Sequence, residues 1–166
     1  FHLCGIAMAF AIFLLFTNNK AIYSFVLMTG VLGSIISFIN PIIGYDSSYY
    51  RYYQLFIAHG ILFITPLYYF IVYKWYPGKK DLLKGYWILQ GLALFMIIFN
   101  YFMGTDFMFM FIDPDKIEKF PMIQYLGGIP YYILVAEVVV GLYFYGSYKL
   151  FSYLNTKEQN VPLEGG

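Results

Sequence analysis

IYSFVLMTGVLGSIISFI, Ile22 to Ile39, runs for 18 residues without a charge and stops at Asn40-Pro41. A bilayer core is about 30 Å thick and takes about 20 apolar residues to cross as a helix. The stretch therefore reads as a membrane span. Working outward, Leu3 to Phe16 reads as the visible part of an earlier span, and Leu55 to Tyr73 as a third, with Pro66 as an expected kink. Tyr86 to Met103 makes a fourth and Pro130 to Leu150 a fifth, the latter opening on proline at a favoured first-turn position. The expected fold is all-α, a multi-pass transmembrane helical bundle.

Composition agrees. The chain is 61% hydrophobic, 23% aromatic and 11% charged, whereas a soluble domain carries about 25% charged residues. A net charge of +1 gives no reason to expect a nucleic-acid partner, and a single cysteine forbids an intrachain disulfide. No phosphate-cradling glycine loop, Walker motif or nucleophile elbow is found. The chain opens on Phe1 inside an apolar run, so further spans are expected upstream. Residues 1–154 are read as the membrane domain and 155–166 as a polar, unstructured cytoplasmic tail. Residues 105–128 are read as an interfacial loop anchored by the alternating FMFMF of Phe107 to Phe111.

Lysine and arginine set the orientation. With the C-terminus cytoplasmic, the inside holds Lys20, Lys74, Lys79, Lys80, Lys84, Lys149 and Lys157, and the outside Arg51, Lys116 and Lys119. Span counting then brings Cys4, His59, Asn100 and Glu137 toward the outer face, with His59 about one turn below it. Polar groups in lipid are expensive and mark functional sites by default.

Each has a plain role beside a chemical one. A free cysteine is usually a small buried hydrophobe; Cys4 is alternatively a nucleophile, if a basic neighbour or a helix start lowers its pKa. His59 is either an interhelical hydrogen-bond donor or the general base to that thiol. Asn100 either bridges helices or steers His59 and holds an oxyanion. Glu137, the one acid well inside a span, is either a neutral hydrogen-bonded group or one that orients a histidine or relays a proton. His2, Asp106 and Tyr131 complete the outer-face cluster as candidate substrate contacts. No metal or cofactor is expected, because nothing has ligand spacing such as CxxC or HxxxH. Gly30 and Gly33 read as allowing close helix packing.

Four motifs in order resemble those of the YwaF-like integral membrane protein family. FHLC (Phe1 to Cys4) resembles its Pro-Leu-His-x-Cys motif, and IAHG (Ile57 to Gly60) carries its third-span histidine. NYFMGTDFMFM (Asn100 to Met110) resembles Asn-Tyr-x-x-Gly-x-Asn-Tyr-Met-Phe, with Asp106 where asparagine is expected, and GGIPYYI (Gly127 to Ile133) resembles Gly-x-x-Pro-x-Tyr. That family is similar to eukaryotic transmembrane proteins proposed to move acyl chains among ether phospholipids through a cysteine. More distantly it is similar to androgen-induced lipid-ester hydrolases. The resemblance implies Cys4 as nucleophile and His59 as base, membrane lipids as substrate, and a bacterial plasma membrane as location, which the Phe-, Tyr-, Ile-, Lys- and Asn-rich composition suits. The expected activity is lipid acyl transfer or lipid-ester hydrolysis. A small transporter or solute-binding protein, or a non-catalytic subunit with a membrane-protein partner or as a homo-oligomer, is the alternative.

Overall fold

The structure is a computed structural model that describes residues 3–39, 41, 46–110 and 131–159. Five α-helices and one 3-10 turn make up its regular elements, and no strand occurs among the described residues: α1 Leu3–Thr17, α2 Lys20–Ile39, α3 Tyr50–Ile71, α4 Lys79–Met103, the 3-10 turn Phe107–Phe109, and α5 Tyr131–Gln159. The last four helices are long and apolar enough to cross a membrane; α1 is described over 15 residues, about 22 Å. The protein is an all-helical, multi-pass membrane protein.

The helices outrun the apolar runs that identify them. α2 and α4 start on Lys20 and Lys79, α3 starts at Tyr50, and α5 continues to Gln159, into the first five residues of the segment expected to be an unstructured tail. A lysine at a span's end keeps helical backbone while its ammonium reaches the headgroups, so charge does not mark where the helix stops. Asn40, Pro130 and the loop beyond Met110 lie outside the described residues.

Two asparagines make the first turn. Asn18 takes the left-handed conformation (φ 49°) and its N–H donates to the Leu14 carbonyl at 2.9 Å. Asn19 Oδ1 then accepts from the Ala21 and Ile22 N–H groups at 2.9 and 3.3 Å, capping α2. Before α3, Asp46 Oδ1 accepts from the Ser48 N–H at 2.8 Å and from the Ser48 hydroxyl, contacts that hold its carboxyl below the usual carboxylate range.

α2 is the hub, packed against α1, α3 and α4. Its contacts with α3 run antiparallel: Tyr23 meets Tyr69, Gly30 meets Leu62 and Phe38 meets Phe56. Backbone approach is closest at two glycines. A β-carbon on Gly85 of α4 would fall 2.9 Å from the Phe25 nitrogen of α2, so no side chain fits there. A β-carbon on Gly30 would meet the Leu62 side chain and its carbonyl oxygen at 3.1 Å. That carbonyl is the one Pro66, lacking an N–H, cannot bond within α3. Close packing, expected of Gly30, is what the structure shows. Outward faces remain apolar, as with Ile57, Ile64, Leu94 and Leu142, the pattern lipid requires. α5 is the least buried span, held mainly along α4.

Candidate functional site

The last two turns of α2 gather the candidate residues from α1 and α3. Gly33 and Ser37 share one strip of α2, being four residues apart, and Cys4 lies against it. A β-carbon at Gly33 would stand 3.8 Å from Cys4 Sγ, and the Ser37 hydroxyl lies beside the thiol. Ser34 and Phe38 form the next strip, about 100° around the helix. On it lies His59: Ser34 Oγ donates to the His59 carbonyl at 2.9 Å, and the Phe38 ring meets the imidazole edge to face at 6.4 Å. Cys4 and His59 thus come from different helices to adjoining strips of the same two turns.

α3 begins at Tyr50, so His59 lies nine residues, about 13 Å, from the start of its helix. Its Nδ1 lies 2.8 Å from the Leu55 carbonyl oxygen. A carbonyl only accepts, so in the neutral ring Nδ1 carries the hydrogen and Nε2 keeps its lone pair. Nε2 is buried and has no hydrogen-bond partner among the described residues. An unsatisfied buried group costs about 1–3 kcal/mol, which is tolerable where a ligand completes it.

Asn100 is the opposite case. It is fully buried, at the C-terminal end of α4, and each of its four hydrogen-bonding positions is filled. Nδ2 donates to the Phe107 and Met110 carbonyls at 2.9 and 3.2 Å; Oδ1 accepts from Thr105 Oγ1 and the Phe107 N–H at 2.8 and 3.0 Å. Its own carbonyl takes the N–H groups of Gly104, in the left-handed conformation at φ 63°, and of Thr105. The side chain folds the start of the 105–128 loop back over α4. No amide hydrogen is left to hold an oxyanion or to steer His59.

The remaining candidates disperse. Glu137 Oε2 accepts from Gln90 Nε2 at 2.6 Å, a clasp between α5 and α4. Asp106 is half-buried beside the Asn100 cap. Tyr131 is 62% exposed and faces outward, whereas its neighbour Tyr132 is buried. His2 lies outside the described residues. No group of three His, Cys, Asp or Glu side chains suited to a metal occurs among the described residues. Ser34, Ser37 and Gln90 were passed over in sequence; the small residues Gly30, Gly33, Ser34 and Ser37 on successive turns were the available sign of a crowded helix face.

An open apolar groove of about 490 Å³ lies between α1 and α3, lined by Met8, Tyr50, Tyr53, Gln54, Ile57, Ala58 and Ile61. Met8 is one helical turn from Cys4, and Ala58 adjoins His59.

A family model matches residues 1–148, from the Cys4 segment through all but the end of α5. The chain belongs to the TMEM164 family. Every element of the candidate site lies inside that match, so Cys4, His59 and the α2 strips that receive them are part of the TMEM164 unit. No curated protein and no solved structure matches the chain.

Proposed function

We propose that this TMEM164 family protein is a membrane-embedded lipid acyltransferase or lipid-ester hydrolase, with Cys4 as nucleophile and His59 as general base. The observation that carries the reading is the buried His59 Nε2, which has no partner among the described residues. It is the basic nitrogen of the ring, and it belongs to a side chain packed on the same two turns of α2 as the thiol. The α1–α3 groove offers an acyl chain a route from the lipid to this region. The family resemblance of FHLC and IAHG points to the same two residues.

In this scheme His59 Nε2 takes the thiol proton as the Cys4 sulfur attacks the ester carbonyl carbon. The carbon–oxygen bond then breaks, and the imidazolium returns the proton to the departing alkoxide. The acyl thioester passes its chain to the hydroxyl of a second lipid, or to water. Ser37, beside the thiol, would donate to the developing oxyanion in place of Asn100. Transport through an outer-face vestibule has less support, because Asn100 is spent on its cap and Glu137 on Gln90.

The test is purified protein in lipid nanodiscs supplied with a phospholipid carrying a labelled acyl chain. Intact mass is expected to show one acyl adduct, removed by neutral hydroxylamine and absent in Cys4→Ala, with labelled product lost in both Cys4→Ala and His59→Ala. Unchanged turnover in both variants would overturn the assignment.

A further inference from the structure

A second groove lies at the opposite end of the bundle, between the start of α4 and the later half of α5. It encloses about 210 Å³ and is lined by Leu82, Leu83, Tyr86, Gly141, Phe144, Tyr145 and Tyr148, with Lys79 as its charged member. Three features distinguish it from an ordinary seam between helices. A β-carbon on Gly141 would meet nothing within 4 Å, so the wall is notched where an alanine would fit freely. Its aromatic side chains come from both helices, Tyr86 of α4 packing edge-on against Phe144 of α5 at 5.4 Å and 72°. The charge is at one end only: Lys79 is exposed at the first turn of α4, while Lys149 of α5 stands 5.6 Å over the Tyr145 ring.

An apolar slot in a bilayer fills with an acyl chain, and a lysine at headgroup depth recruits a phosphate. We propose that the α4–α5 groove is a binding site for an anionic phospholipid of the lysine-rich leaflet. One acyl chain lies along Gly141 and Phe144, and the headgroup phosphate lies at Lys79. Lys79 in the lining and Lys149 over the Tyr145 ring favour an anionic headgroup over a zwitterionic one. α5 has little other packing, so the bound lipid would fasten it to α4. This site is remote from Cys4 and does not depend on the proposed acyl chemistry.

The experiment titrates the detergent-purified full chain with phosphatidylglycerol or phosphatidylcholine and follows thermal unfolding and lipid retention by native mass spectrometry. Phosphatidylglycerol is expected to bind with 1:1 stoichiometry and to raise Tm more than phosphatidylcholine. Lys79→Gln should weaken phosphatidylglycerol by about fivefold, the contribution of one lysine near a phosphate, and weaken phosphatidylcholine, whose choline offsets the phosphate charge, by less. Gly141→Leu, which fills the slot, should abolish retention of both lipids. Equal stabilisation by the two lipids overturns the proposal, as does retention undiminished in both variants. A shift from dimer to monomer in Gly141→Leu, with lipid retention intact, would assign the groove to a second copy of the chain and overturn it too.

Discussion

Asn100 and His59 are both buried polar side chains in apolar helices, yet one is complete and the other is not. Asn100 uses both amide hydrogens and both sides of its oxygen to hold residues 105–110 against α4. His59 satisfies Nδ1 and, among the described residues, leaves Nε2 bare. Polarity within a span therefore does not by itself mark chemistry. A finished hydrogen-bond set marks architecture, and an unfinished one marks a place where something else binds. Mutation should separate the two.

The sharpest contrast is expected at His59. His59→Phe removes an unsatisfied nitrogen and keeps a ring against Phe38, so Tm should change little. Turnover of a labelled phospholipid should fall by about 10²–10⁴-fold, the usual contribution of a general base. A stability loss as large as that of Asn100 variants would make His59 a second architectural residue. Asn100→Leu should do the reverse. It strips partners from the Phe107 N–H, two carbonyls and Thr105, at about 1 kcal/mol each, and should lower Tm strongly in the presence or absence of lipid substrate. Asn100→Asp keeps the accepting oxygen but sets a second oxygen against the Phe107 and Met110 carbonyls in a buried site, so it should cost at least as much; an Asn100→Leu protein of unchanged Tm breaks the comparison.

Gly85→Ala measures what pure packing costs in the same molecule. Its new methyl group would meet α2 backbone, and overpacking of this kind costs about 1–3 kcal/mol. Thermal unfolding should show the loss with no selective effect on turnover per folded molecule. Smallest of all is Gln90→Leu, which opens the Glu137 clasp. It should cost about 1 kcal/mol and show as faster amide exchange confined to α5.

The spans were legible because lipid leaves few options: Ile22 to Ile39 has the length, the apolarity and a terminating Asn-Pro. Helix starts were less so, since Lys20 and Lys79 are charged yet helical. Cys4 and His59 stood out because cysteine and histidine are rare in this chain and sit in family-like motifs. Ser34, Ser37 and Gln90 did not, because uncharged polar residues are cheap within a span. The role of Asn100 was hidden for a different reason. Its partners lie on a loop whose path over α4 no helical periodicity encodes. Gly85 was equally silent, since its reason is the backbone of a helix 60 residues earlier.

The wiring of α2 also bears on how the chain is assembled. Ser24 and Thr29 donate to Lys20 and Phe25 carbonyls of their own helix, so they need no neighbour to be at ease in lipid. Ser34 reaches across, to the His59 carbonyl, as the Tyr23 hydroxyl does to the Trp75 carbonyl. During synthesis α2 emerges before either α3 or α4 exists to cover it, and Ser24 and Thr29, satisfied within their own helix, need no partner while it waits in the bilayer. Arrival of α3 then gives Ser34 its acceptor and seats His59 in the same movement, which makes docking of α3 the step at which the nascent protein gains its candidate site.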